Sequence, residues 1–410
     1  MPNATLIAAR FPRISEYHLR QGAVIIPLAV GFVTPSTPSW ALIFYLTAIP
    51  PLLLTLWRGW HPAWHDRALA SILALWGWSA LTIAWTHHDS IHGKTTTYWI
   101  VEALWTLVLV LNFVSATEED PRTRDRAMQA VIYGGAVNAG ISLVLFILKG
   151  DFTTRLWGYG LTGNPVMGAA IMDIGLLLAL IRAREDRRRR LPMAAAAAPM
   201  IAFLGFSYSR TALLALAVAL LVILFGQRPL LAGLAAALLG ALGLVLLKFG
   251  HALFPALWNN LVSRGDDCHA ALWRAAWQAI RLHPLIGYGP SATLPSMPEN
   301  HWCPPNPSPH NFYLCLLYYS GAVGFALFAL TVAMLWRRLH AATRGITRRL
   351  WLGVGLIPLI VGLSDLVQID KGPSVMWYIV WIPMLLVLTL PPPGAQASAT
   401  RAFPRARARQ

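Results

Sequence analysis

A histidine at the mouth of an apolar stretch, in Ser308-Pro309-His310-Asn311, is the residue of this sequence best placed to move a proton. Ser308 can cap a helix and Pro309 fits a first turn, so His310 and Asn311 would sit among backbone N–H groups with no intrahelical partner. The positive end of the helix dipole favours a neutral imidazole there, the state a general base requires. The same spacing also suits a polar histidine that only fills a first turn at a membrane interface. Five arginines offer an electrostatic complement: Arg155, Arg210, Arg264, Arg274 and Arg281. The planar guanidinium fork matches phosphate oxygens, and a diphosphate is the ligand class such a set fits. Contact with lipid headgroups, or pairing with Asp151, Asp266, Asp267 or Glu299, would use the same arginines structurally.

Arg155 and Arg210 stand in the tightest surroundings. Arg155 opens the run to Pro165, in which Gly158, Gly160 and Gly163 permit close backbone approach and Asn164-Pro165 marks the start of a helix. Arg210 ends Ser207-Tyr208-Ser209-Arg210, a very short turn between two apolar segments, and an arginine held so near hydrocarbon usually has a partner. Asp173 and Asp365 are costly inside apolar segments, so each needs a partner or a proton-linked role, and structural pairing is the simpler expectation for both. Asp266-Asp267-Cys268-His269 offers possible metal ligands, but a helix cap explains the acids more cheaply. No metal and no cofactor is expected.

The elements that must position these residues are membrane spans. Hydrophobic residues make up 56% of the 410 and charged residues 12%, against roughly 25% charged in soluble domains. This composition predicts an all-α polytopic membrane protein. With about 20 apolar residues to a span, candidates fall at 18–34, 39–57, 68–86, 98–116, 127–148, 165–183, 192–207, 210–226, 229–248, 309–336, 350–368 and 374–391. The first is the weakest, its uninterrupted apolar run being short enough for a re-entrant segment. With both termini in the cytoplasm, 24 of the 33 Lys and Arg lie inside. The nine outside are Lys94, Lys149, Arg155, Arg210, Lys248, Arg264, Arg274, Arg281 and Lys371. That asymmetry sets the orientation. The basic excess therefore reports topology and lipid contact, not nucleic acid, for which no motif is present. Nothing resembles a removable signal peptide.

Four regions follow: 1–248 with transmembrane helices one to nine, 249–308 as a periplasmic loop domain, 309–391 with helices ten to twelve, and 392–410 as a disordered cytoplasmic tail. In the loop, Leu272, Trp273, Ala276, Trp277 and Ile280 recur at helical spacing. Asp266 or Asp267 can cap that helix and His283-Pro284 end it. An amphipathic helix on the membrane surface is expected, with Arg274 and Arg281 on one face. Turns and extended segments, with few apolar residues to hold them, follow through Pro309. Cys268 and Cys303 could form one disulfide in an oxidising compartment.

The run Arg155 to Pro165, then Ser207-Tyr208-Ser209-Arg210, then His283 to Gly289, then His310-Asn311-Phe312-Tyr313-Leu314 with Gly321 and Gly324 downstream, resembles the O-antigen ligase and polymerase superfamily. The resemblance implies a GT-C-like fold and an inverting, metal-independent glycosyltransferase of the bacterial inner membrane. Its donor would be a glycan on undecaprenyl diphosphate, with the active site in the periplasm. For ligases of the family it implies lipid A–core oligosaccharide as acceptor. Carried over by motif, His310 would be the base, Arg210 and Arg274, or Arg264, would serve the diphosphate, and Asn311 and Asn164 would support them. A polymerase or a protein O-oligosaccharyltransferase would carry the same motifs, and one substantial outer loop favours the ligase. In a different class, a lipid-linked glycan flippase or proton-coupled transporter would work through Asp173 at the midplane.

Overall fold

The computed structural model describes residues 16–86, 95–253, 255, 258–259, 269–294, 308–369 and 371–391. Arg264, Asp266, Asp267, Cys268, Glu299 and Cys303 lie outside these residues, as do 304–307 and the tail from 392. Thirteen α-helices are present among the described residues. They are α1 (Glu16–Val30), α2 (Thr37–Trp57), α3 (Arg67–Leu81), α4 (Thr96–Glu119), α5 (Arg122–Lys149), α6 (Pro165–Glu185) and α7 (Arg190–Ser207), then α8 (Arg210–Phe225), α9 (Pro229–Leu253), α10 (His269–Ile280), α11 (Phe312–Ala342), α12 (Gly345–Val361) and α13 (Ile382–Leu388).

The protein is a polytopic membrane protein. Helices occupy all twelve segments expected to be spans, and α10 occupies the amphipathic stretch of the loop. Among the described residues, eight helices are long and apolar enough to cross a membrane by length and composition, while the segments Arg210–Phe225 and Trp377–Leu388 are apolar but shorter. Local sequence starts several of them. Asp66 accepts from the N–H groups of Ala68 and Leu69 at α3, Thr95 from Tyr98 at α4, and Asn164 from Val166 and Met167 at α6.

α6 is the axis of the bundle. In its most apolar window 83% of residues are buried, against 6% for α9 at the periphery. It packs on α5, α7, α8 and α12. Gly175 and Gly135 on facing helices both meet the thioether of Met200 from α7, as expected where small residues let helices approach. The last helical segment is buried throughout: a π-helical turn over Trp377–Trp381 runs into α13. Each ring donor in that turn is satisfied, Trp377 by Thr106 Oγ1, Tyr378 by Leu28 O and Trp381 by Ile369 O, so the aromatics can be buried without stranding a polar group.

α11 is broken. Gly321 sits at φ 66° and ψ −171°, and the freed backbone groups on either side are taken up by a single inserted segment. Ala322 N–H donates to Pro284 O and Val323 N–H to Leu285 O, while Tyr318 O and Tyr319 O accept from Tyr288 and Gly289. Trp78 Nε1 donates to Ser320 O. A Cβ at Gly321 would collide with the carbonyl of Leu285. The expected single span at 309–336 is thus two pieces, a short helix Phe312–Ser320 against the loop region and a longer one ending at Ala342. The segment expected at 350–368 also differs, because α12 ends at Val361 and 362–369 is irregular.

Candidate active site

The start of α11 is stitched to the irregular segment after α12. Phe312 N–H donates to Gly362 O at 2.7 Å, and Asn311 Nδ2 donates to Leu363 O at 2.7 Å. Asn311 is the cap of α11, its Oδ1 accepting from Tyr313 and Leu314 N–H at 3.0 Å each. The sequence pointed to Ser308 for that role; an Asx side chain two residues before the first free N–H group reaches it better. His310 consequently stands outside the helix, ahead of the cap, with φ 48°. Left-handed backbone costs a Cβ-bearing residue about 1–2 kcal/mol, and the two stitches and the cap hold it there.

This geometry aims the imidazole at Asp365. Nδ1 lies 3.2 Å from Asp365 Oδ1, and Oδ1 also accepts from Leu366 N–H at 2.9 Å. The carboxyl side chain is 6% exposed and the imidazole 31%. A carboxylate can only accept, so Nδ1 carries the hydrogen of the neutral ring and Nε2 is its basic nitrogen. The expected pairing of Asp365 is present, with a consequence that composition did not suggest: a buried acid orients a partly exposed imidazole.

Two further contacts converge on the neighbouring residue. Ser364 Oγ is 2.6 Å from Thr211 Oγ1 at the first turn of α8, and Ser364 O accepts from His269 Nε2 at 3.0 Å at the start of α10. Thr211 follows Arg210, so this contact brings Arg210 to the same end of the bundle as His310 and Asp365. Tyr208, at φ 47°, ends α7 and makes the turn. Arg155 docks onto it: its Nε donates to Ser207 O at 3.1 Å, and Leu156 N–H donates to Phe206 O at 2.8 Å. Asn138 in α5 anchors the glycine-bearing loop behind Arg155 through Phe32 O, Tyr159 O and Thr162 Oγ1. Gly160, at φ 54°, lies against Thr34 O where no side chain fits.

Residues 194–329 match the O-antigen ligase family, a range that holds Arg210, α10 and His310. The chain is also 25% identical over 386 residues to the O-antigen ligase of Pseudomonas aeruginosa, covering 92% of this chain and 91% of that one. Over that range, and along most of its length, the chain is similar to O-antigen ligases. The family is one of glycosyltransferase-type enzymes, and the geometry can be read in that light. His310, Asp365, Arg210 and Arg155 lie at the same end of the bundle, although Arg155 and Asp365 both fall outside the matched range.

Other expected site residues stand apart. Arg274 is exposed on α10 and, among the described residues, makes no ion pair or hydrogen bond. Arg281 falls just past the end of α10, in a turn, with its guanidinium 5.8 Å from the Trp277 ring. Asp173 was expected to find a partner and does not: fully buried in α6, both its oxygens lack one. Thr211, Ser364 and Asn138 gave no signal in the sequence, being small polar residues whose partners are 153, 153 and up to 106 positions away. His269 was weighed only as a metal ligand.

Proposed function

We propose that this protein transfers a polysaccharide from undecaprenyl diphosphate to a hydroxyl of lipid A–core oligosaccharide at the periplasmic face of the bacterial inner membrane. The reading is supported by the family match and the ligase relative. The observation that carries it is the His310–Asp365 pair, set at the same membrane end as two arginines of tight turns.

In this mechanism His310 Nε2 removes the proton of the acceptor hydroxyl as its oxygen attacks the anomeric carbon. The bond from that carbon to the diphosphate breaks, and its electron pair leaves with the diphosphate. Asp365 keeps the ring in the required tautomer and stabilises the imidazolium that forms. Arg155 and Arg210 stabilise the charge growing on the leaving group, with Arg274, Arg281 and Arg264 available from the loop. Asp365 is buried behind His310, with its Oδ1 bonded to the imidazole and to the Leu366 N–H, so it is poorly placed to form a glycosyl-enzyme. A single inverting displacement fits this arrangement better. An apolar cavity of about 320 Å³, reaching from Phe312 to Val387 between α8, α11, α12 and α13, offers the prenyl chain a path beside the site.

The test is transfer by the purified full-length protein in vesicles carrying donor and acceptor. His310→Ala is expected to lower the transfer rate by about 10²–10⁴ and Asp173→Asn to leave it near the wild-type value. Normal transfer without His310 overturns the assignment. Transport that survives His310→Ala but not Asp173→Asn would establish a flippase instead.

A further inference from the structure

At the end of the bundle opposite His310, the last turn of α6, the 3₁₀ turn Arg187–Arg189, the start of α7 and the start of α12 enclose a polar recess of about 350 Å³. Arg184, Arg187 and Arg190 line it together with Glu185 and Thr347, over a floor of Ile181 and Leu350.

The arginines around this recess divide into two groups. Arg182 is paired with Asp125 at 3.2 Å and Glu185 at 2.7 Å. Arg189 is paired with Asp186 at 3.3 Å, and Arg348 caps the end of α11 through Thr343 O and His340 O. The side chains of Arg184, Arg187 and Arg190 make no ion pair or hydrogen bond among the described residues. Glu185, the one carboxylate on the wall, is already committed to Arg182. Three exposed guanidinium groups with no carboxylate of their own therefore share a single concavity, a local excess of positive charge that an anion would offset.

The shape of the recess narrows the choice of anion. Guanidinium forks match phosphate oxygens bidentately, and Thr347 adds a hydroxyl. The recess opens at the ends of three helices, the level at which lipid headgroups lie, above a floor of two core residues, and its volume falls in the range of small-molecule sites. We propose that it binds the phosphodiester of an anionic glycerophospholipid. Such a lipid clamps the ends of α6 and α7 to the first turns of α12, the helix whose other end leads into Asp365.

The experiment titrates short-chain phosphatidylglycerol against the full-length protein in neutral detergent, counting bound lipid by native mass spectrometry. Phosphatidylcholine and inorganic phosphate are run as separate arms. Arg184→Gln/Arg190→Gln is expected to weaken phosphatidylglycerol binding by about 25-fold, taking about fivefold per arginine. Arg228→Gln/Arg337→Gln, which removes the same charge from positions outside the recess at the same membrane end, is expected to leave it nearly unchanged. Arg184→Lys/Arg190→Lys, keeping the charge and losing the fork, should fall between. Equal losses in the two glutamine pairs would overturn the proposal in favour of diffuse attraction. So would phosphatidylcholine bound as tightly, or inorganic phosphate that displaces the lipid and shows the same arginine dependence, which would make this a free-anion site. An unchanged melting midpoint in the first pair shows that its loss of lipid is not a loss of fold.

Discussion

In the proposed reaction His310 and Asp365 form a unit in which one residue touches substrate and the other decides how. Asp365 accepts from the ring and from the Leu366 N–H through the same oxygen, which fixes the imidazole plane as well as its tautomer. An amide at position 365 can donate as well as accept, so it no longer selects between the two ring nitrogens. Asp365→Asn is therefore expected to lower kcat roughly 10²-fold or more while changing the donor KM little. Steady-state kinetics of the reconstituted protein would separate the two parameters. A rise in KM with kcat intact would instead assign Asp365 to substrate binding. His310 and the two tight-turn arginines were legible in the sequence because each sits beside proline, glycine or a short polar turn. The role of Asp365 was not, since a single acid near an apolar segment reads only as a cost until its partner, 55 positions away, is known.

The short first piece of α11 carries the cap that positions His310, and the break at Gly321 lets it depart from the longer piece below. The inserted segment 284–289 replaces the missing helical hydrogen bonds with five of its own or its neighbours', counting the bond from Trp78. Gly321→Ala forces a Cβ into the left-handed region and against Leu285 O, where backbone strain of about 1–3 kcal/mol is expected before any displacement of the segment. The variant should melt below the wild type in detergent and lose transfer. Gly140→Ala, on the regular helix of α5 where nothing lies within 4 Å of the added methyl, should leave more activity. Equal melting midpoints for Gly321→Ala and wild type would show that the break is not needed. Most helices were readable as runs of apolar residues, but this break was not. Apolar residues continue through Gly321 on both sides, and glycine is common enough in membrane helices that one more carries no sign of a break.

Across the whole molecule, charge is arranged along the membrane normal and burial from the centre of the bundle to its rim. Hydropathy located the twelve helical segments but not their order from centre to rim. Both inner and lipid-facing helices are apolar in a membrane, so nothing in composition showed that Trp377–Leu388, among the last described residues, would lie at the centre and α9 at the edge. Orientation rests on a different signal, the 24 basic residues assigned to one side and nine to the other. His310, Arg155 and Arg210 share the poorer side, which is the periplasmic one if positive charge stays inside. Introduced cysteines test this directly in a background where Cys268 and Cys303 are serine and Cys315 remains buried. Thr154→Cys, exposed beside Arg155, is expected to react with a membrane-impermeant maleimide in intact spheroplasts. Gln227→Cys, exposed between α8 and α9, is expected to react only after the membrane is opened. The opposite pattern would place His310 in the cytoplasm. A glycan acceptor on the outer leaflet could then not reach the base, and the transfer reaction would have to be abandoned even if the His310–Asp365 geometry stood.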